Sequence, residues 1–311
     1  MGPTACGKTA LAESIAQHFP VEVISVDSAL IYRHMDIGTA KPDAEYLARL
    51  PHHLIDIRDP DQRYSAADFR RDALPLMADI TARGHIPLLV GGTMLYFKVL
   101  FEGIAELPPA DTAIRQQILS DAEQLGWQAM HQRLAAVDPS TAAALHPNHS
   151  QRIQRALEVY YSSGETLSSH QARQQLEALP YRVAQLALWP AERSELHARI
   201  AQRFDQILHQ GLVDELRALR RDFDLHPGMP SMRSVGYRQS WDYIEQRISE
   251  QQLREQGIAA TRQLAKRQLT WLRKWPGLHR LGADLHSNEV SNQLIDTSLL
   301  KISKLLHELS D

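Results

Sequence analysis

Residues 2–9 run Gly2, Pro3, Thr4, Ala5, Cys6, Gly7, Lys8 and Thr9, a full match to G-x-x-x-x-G-K-[ST]. The chemistry suited to that spacing is anion binding. Glycines let successive backbone N–H groups curl around a phosphate at a helix N-terminus. The lysine reaches the outer phosphate oxygens, and the threonine hydroxyl can ligate a Mg²⁺ that neutralises them. The pattern is shared with ATP-binding proteins, and short patterns also arise by chance. Here it opens an apolar-faced segment (Leu11, Ala12, Ile15, Ala16) that ends near Pro20 and precedes an apolar run, Val21–Val26. That context favours a phosphate site.

Two further chemical groups sit at the ends of apolar runs. Asp27 closes Val23–Val26, and Gly91-Gly92-Thr93 closes Leu88–Val90. In a phosphate-loop ATPase an acid ending a strand organises Mg²⁺ or water, which is one reading of Asp27. The second run ends without an acid, and its glycine pair suggests tight backbone approach to a second substrate. No glutamine-based water-positioning motif and no kinase catalytic loop is evident.

These groups need a scaffold. Apolar runs predict strands at Val21–Val26, Leu54–Ile57, Ile86–Val90 and Val183–Trp189, with helical segments between several of them. Ser65 with Asp68 three residues on opens a helix that Gly84 closes, and Pro75 inside it predicts a kink. Alternating strands and helices argue for an α/β fold of the phosphate-loop type, a parallel sheet flanked by helices. Residues 107–181, bounded by Pro108-Pro109 and Leu179-Pro180, read as an all-helical insertion into a core of 1–106 and 182–282. Residues 283–311 read as a helical tail. Only Met1 precedes the loop, whereas the motif calls for a buried strand there, so the first core strand is expected to lie ahead of the given sequence.

The 311 residues carry 34 basic and 37 acidic side chains, a net charge of −3, and 43% hydrophobic residues. This is the composition of an ordinary folded globule. Cys6 is the single cysteine, which excludes a disulfide framework and fits a reducing, cytosolic compartment. No apolar stretch is long enough to span a membrane. His52-His53 and His146/His149 lack accompanying acids or thiols at ligand spacing, so no protein-only metal site is expected.

The average hides an asymmetry. The basic residues are 27 Arg and 7 Lys, compatible with a polyanion partner but also with Arg-rich codon usage. Position is more informative. From Gln256 to Ala283 there is no acid, while Arg262, Lys266, Arg267, Arg273, Lys274 and Arg280 are basic. On a helix, Arg262, Lys266 and Arg273 share a stripe opposite an apolar arc that includes Leu264, Leu269, Trp271, Leu272 and Trp275. Such a basic face suits nucleic-acid phosphates. Arg233-Ser234-Val235-Gly236-Tyr237-Arg238 adds two Arg, a Gly and an aromatic that could stack on a base. In the insertion, Gln151-Arg152-Ile153-Gln154-Arg155 puts two Arg at i and i+3; a solvated helix face is the ordinary reading of such a pair.

Together these segments resemble the bacterial tRNA dimethylallyltransferase (isopentenylpyrophosphate transferase) family. The resemblance rests on Gly2–Thr9, Val26–Tyr32, Met35–Pro42, Tyr64–Phe69, Gly91–Tyr96, Arg233–Arg238 and Lys266–Arg273, and runs to about Gly282. It implies transfer of a dimethylallyl group from dimethylallyl diphosphate to N6 of adenosine 37, beside the tRNA anticodon. The loop 2–9 would then hold a diphosphate, with Mg²⁺ on Thr9. Asp27 would hydrogen-bond or deprotonate N6, Thr93 would contact the adenine, and Arg203 would lie near the diphosphate or serve in structural pairing. Asp27, Ser28, Ala29 and Leu30 would line the extruded base. Gln151–Arg155, Arg233–Arg238, and Lys266, Arg267, Gln268, Leu269, Thr270, Trp271, Leu272 and Arg273 would hold RNA, with Arg115 a weaker candidate. Cys6 stands where relatives often have Ser, which implies oxidation sensitivity. A cytosolic monomer is implied. The alternatives are a phosphate-loop small-molecule kinase and a non-catalytic RNA-binding protein; the basic helix disfavours the first, and Asp27 beside an intact loop the second.

Overall fold

The computed structural model describes residues 1–105, 107–109, 111–173, 179–283, 296 and 298–304. The chain divides into two compact units, Met1–Leu100 with Pro180–Asp311, and Phe101–Leu179.

In the first unit, the loop 2–7 leads into α1 (Lys8–His18), β1 (Val21–Val26), α2 (Ala44–Arg49) and β2 (His52–His53). Then come α3 (Ala66–Ala82), β3 (Ile86–Gly91) and α4 (Met94–Glu102). Strands β2, β1 and β3 lie in that order, all parallel, with Val21 to Val26 opposite Ile86 to Gly91. Val23, Ile24, Ser25 and Val26 are consecutive buried residues, as a parallel strand covered on both faces requires. The α3 boundaries follow the sequence expectation: the Ser65 hydroxyl accepts from Asp68 N, and the Asp68 carboxylate accepts from Ser65 N. The helix continues unbroken through Pro75.

The expected strand over Leu54–Ile57 does not form. Leu54 and Asp56 adopt left-handed φ values of 63° and 55°. The chain turns there so that Asp56 N and Ile57 N donate to Leu30 O and Ile31 O. Lys41 locks this turn: its buried ammonium donates to Asp56 (2.5 Å), Asp36 (2.6 Å) and the Tyr32 carbonyl (2.8 Å). Three oxygens around one buried cation compensate its lost hydration.

The second unit holds α5 (Thr112–Val137), α6 (Pro139–Ala143), α7 (Ser150–Ser163) and α8 (Leu167–Ala172). Its apolar centre is built from Ile118, Met130, Leu134, Ile153 and Leu157. Glu158 is buried among these helices, with Arg115 Nη2 3.1 Å from its carboxylate and Arg155 Nη1 at 3.7 Å. A buried carboxylate without such partners would carry a large desolvation cost.

The chain returns to the first unit through β4 (Leu186–Pro190), α9 (Arg193–His209) and α10 (Leu212–Asp222). It continues with α11 (Tyr237–Ile244), α12 (Glu250–Arg273) and β5 (His279–Ala283). Strands β4 and β5 pair in parallel, and Met1 runs beside β4, donating to Leu186 O and accepting from Leu188 N. Cys6, Leu11, Ile15, Ile200, Phe204, Ala265 and Leu269 form one apolar cluster, so the loop, α1, α9 and α12 share a core. Of the expected tail, residues 298–304 are helical and Ile302 joins that core; 284–295, 297 and 305–311 lie outside the described residues.

Candidate active site

The glycine-rich loop turns back on itself. Ala5 and Gly7 take left-handed φ values of 62° and 89°, and Gly7 caps α1. Alternating left- and right-handed residues turn successive N–H groups to one side, the geometry of an anion cradle. Thr4 through Thr9 line a cavity of about 610 Å³ together with residues from β1, β3, α9 and α12. Gly2 and Pro3 do not. Both are buried, Gly2 against Leu188 and Cys6, and the Pro3 carbonyl accepts from Lys8 Nζ at 2.7 Å. Their part is to support the loop from below. Cys6 is fully buried in the core, which corrects the expected oxidation sensitivity.

Charge around this cavity is unbalanced. Among the described residues, Lys8, Arg199 and Arg203 line it, against one carboxylate, Asp27. Asp27 stands at the C-terminal end of β1, and its Oδ1 accepts from Ala29 N at 2.9 Å, which fixes the carboxylate at the head of a tight turn. Arg203 Nη2 lies 3.4 Å from Thr39 O. Burial lowers the Arg203 pKa from its ordinary value, and the Asp27 charge opposes that shift. The arrangement can hold a small polyanion and keep one proton acceptor beside it.

Thr93 is not part of the cavity wall. Its hydroxyl accepts from Ser28 N at 3.0 Å and its own N–H donates to Val26 O, so it ties the end of β3 to the end of β1. Ser28 is likewise outside the wall, while Ala29 and Leu30 line it. The glycine pair has a structural reason too. A Cβ on Gly91 would sit 2.0 Å from Val26 O, and one on Gly92 2.3 Å from Gln268 Nε2. The tight approach seen at both glycines is to a neighbouring strand and a helix, and Gly91 also lines the cavity. Gly91→Ala is therefore expected to force the two strand ends apart and destabilise the fold by about 1–3 kcal/mol. A thermal melt checks this; an unchanged Tm would mean the strand ends part freely.

A family model for IPP transferases matches residues 30–275. The chain belongs to the IPP transferase family. A tRNA dimethylallyltransferase of Thiobacillus denitrificans is 60% identical over 290 residues, 92% of each chain. The crystal structure of a tRNA isopentenylpyrophosphate transferase from Bacillus halodurans is 35% identical, with TM-score 0.71 over 99% of this chain and 96% of that one. A eukaryotic dimethylallyltransferase crystallised while acting on tRNA is 27% identical, with TM-score 0.77 over 97% of this chain and 78% of that one. None of these relatives is a small-molecule kinase.

Within this IPP transferase scaffold several residues expected at an RNA surface lie inside. Ile153 is fully buried in the helical unit's core, and Arg115 and Arg155 are drawn to Glu158, Arg155 also donating to Pro108 O. Gln151 and Arg152 remain exposed, and Gln154 is partly buried. Tyr237 cannot stack on a base: it is fully buried, and its hydroxyl donates to Glu215 at 2.5 Å. Burial and that carboxylate both raise its pKa. Gly236 is also buried, capping α11, and Ser234 and Val235 face the cavity, leaving Arg233 and Arg238 exposed. On α12, Gln268, Leu269 and Leu272 point inward, whereas Lys266, Arg267, Thr270, Trp271 and Arg273 are exposed. Trp271 thus leaves the apolar arc assigned to it. Arg273 and Arg280 approach the Trp189 ring at 5.9 and 4.5 Å.

Glu215 escaped the sequence reading. Its carboxylate accepts from the N–H groups of Asp36, Ile37 and Gly38, shaping the loop whose Gly38, Thr39 and Ala40 line the cavity. Its signal was positional: it lies three residues after Leu212 and four before Leu219, both buried, so an acid stands on the apolar face of α10.

Proposed function

We propose that the chain transfers the dimethylallyl group of dimethylallyl diphosphate to N6 of adenosine 37 in tRNA and releases diphosphate. One observation carries the reading: among the described residues a glycine-rich cradle, three cations and a single carboxylate line one cavity, in a chain 60% identical to a tRNA dimethylallyltransferase. A C–N bond forms as the allylic C–O bond breaks. The cradle N–H groups, Lys8 and Arg203 hold the diphosphate and stabilise the charge it gains on leaving. N6 is a weak nucleophile because its lone pair is delocalised into the ring, and Asp27 accepts its proton as it attacks. The adenine must leave its stack to reach this depth.

Mg²⁺ fits the donor set. Among the described residues no group of three His, Cys, Asp or Glu could hold a metal, but Thr9 offers an exposed hydroxyl on the cavity wall. One or two protein oxygens with the remainder from phosphates and water is the usual Mg²⁺ arrangement, and the ion supplies further charge neutralisation. RNA would lie against Lys266, Arg267, Thr270 and Arg273, with Arg233, Arg238, Gln151 and Arg152 as further contacts. The chain would act on cytosolic tRNA as a monomer; no helix among the described residues is long and apolar enough to cross a membrane.

The test is direct. The chain is incubated with dimethylallyl diphosphate, Mg²⁺ and unmodified tRNA, and the digested nucleosides are resolved by mass spectrometry. N6-isopentenyladenosine is expected; its absence with folded protein overturns the proposal. Replacing Lys266 and Arg273 together by Ala is expected to weaken tRNA binding and to flatten log K against log salt by roughly 1 to 2. An unchanged slope would leave that stripe a solvated face.

A further inference from the structure

Gln268 lies within the Lys266–Arg273 segment expected to face RNA, yet it is 8% exposed and turned away from the exposed residues of α12. Its side chain bridges two backbone segments far apart in sequence. Oε1 accepts from Thr4 N at 2.9 Å, and Nε2 donates to Gly92 O at 2.9 Å. The first partner belongs to the glycine-rich loop and the second to the turn after β3. A backbone N–H can only donate and a carbonyl can only accept, so the pair of partners fixes the amide orientation. An amide is the side chain that answers both. Glycine at 92 completes the fit, since any Cβ there would collide with Nε2. Gln268 also reaches the cavity wall.

Resting on the function proposed above, we infer that Gln268 is a positioning residue for the diphosphate. It holds Thr4, the first cavity-lining residue of the loop, at a fixed distance from the strand end that Thr93 ties to the turn after Asp27. The loop N–H groups act on an anion only if they converge, and convergence fails when one anchor is released. The same helix carries the exposed Lys266 and Arg273, so its inner and outer faces make separable predictions.

The experiment measures inorganic pyrophosphate binding by calorimetry with Mg²⁺, and tRNA binding in parallel. Gln268→Leu removes both hydrogen bonds, leaving the buried Gly92 carbonyl unpaired and releasing the part-buried Thr4 N–H, so pyrophosphate affinity is expected to fall about tenfold or more. The KM for dimethylallyl diphosphate should rise with it while tRNA affinity stays within about twofold. Gln268→Glu is nearly isosteric and guards against a folding defect. At neutral pH its carboxylate keeps the Thr4 bond, opposes Gly92 O and adds negative charge beside the cradle. Protonation restores a donor, so its pyrophosphate affinity relative to the unaltered protein should recover as pH falls towards 5. Affinity unchanged in either folded variant, or a ratio for Gln268→Glu that stays flat with pH, overturns the inference. Turnover by the unaltered protein in the same assay tests the transferase reading separately.

Discussion

Replacing Asp27 by Ala is expected to lower turnover by a factor of about 10² to 10⁴ while leaving tRNA bound. The size follows from the nucleophile. An amine conjugated with a purine ring becomes more acidic as its bond to carbon forms, and a positioned acceptor lowers that barrier. Asp27 is the one carboxylate among the described residues lining the cavity, so nothing on that wall replaces it. It has a second task, since Oδ1 caps the turn through Ala29 N. Asp27→Asn separates the two, keeping an oxygen for Ala29 while removing the charge. If proton acceptance is the main role, Asn and Ala fall to similar rates; if the turn is, Asn stays close to the unaltered chain. Single-turnover rates at saturating dimethylallyl diphosphate, with tRNA affinity from filter binding, distinguish these outcomes. A full rate in Asp27→Asn removes Asp27 from the chemistry.

The parts of this site that are local in sequence were legible there. The loop 2–9, the strand feeding Asp27 and the Ser65–Asp68 capping box each depend on neighbours within a few residues, where spacing carries the information. The Leu54–Ile57 run misled because apolar periodicity ignores a buried Lys41 that needs Asp56, and the backbone bends to meet it. The α12 stripe is basic on one exposed side, as its spacing predicts, but its eight-residue motif does not face RNA as a block. A helix turns residues through roughly 100° each, so a contiguous block cannot face one partner. Gln268 stands four residues from both Leu264 and Leu272, on the inward face, which was the available sign of a buried amide. What no local pattern could supply is its partners, Thr4 and Gly92, 264 and 176 residues away. The same holds for Glu215 and the N–H groups of 36–38. Residues that position a site are legible as polar exceptions on apolar faces; which backbone they hold is decided by the fold.

The second large effect is expected at Lys8. Its ammonium donates to the loop's own Pro3 carbonyl at 2.7 Å. A diphosphate offers it charged oxygens instead. Hydrogen bonds between ions are about twice as strong as neutral ones, so the exchange favours the ligand, and the departing group gains further negative charge as the C–O bond breaks. Lys8→Ala should therefore weaken pyrophosphate binding and lower kcat/KM for dimethylallyl diphosphate by about 10² or more, with tRNA affinity retained. Lys8→Arg keeps the charge but replaces a compact point donor by a wide planar fork. Its expected rate lies well below that of the unaltered chain despite equal charge. If Arg restores full activity, the cradle works as a general positive field and loop geometry matters little. If Ala retains it, the loop does not hold the diphosphate, and the anion must rest on Arg199 and Arg203 across the cavity.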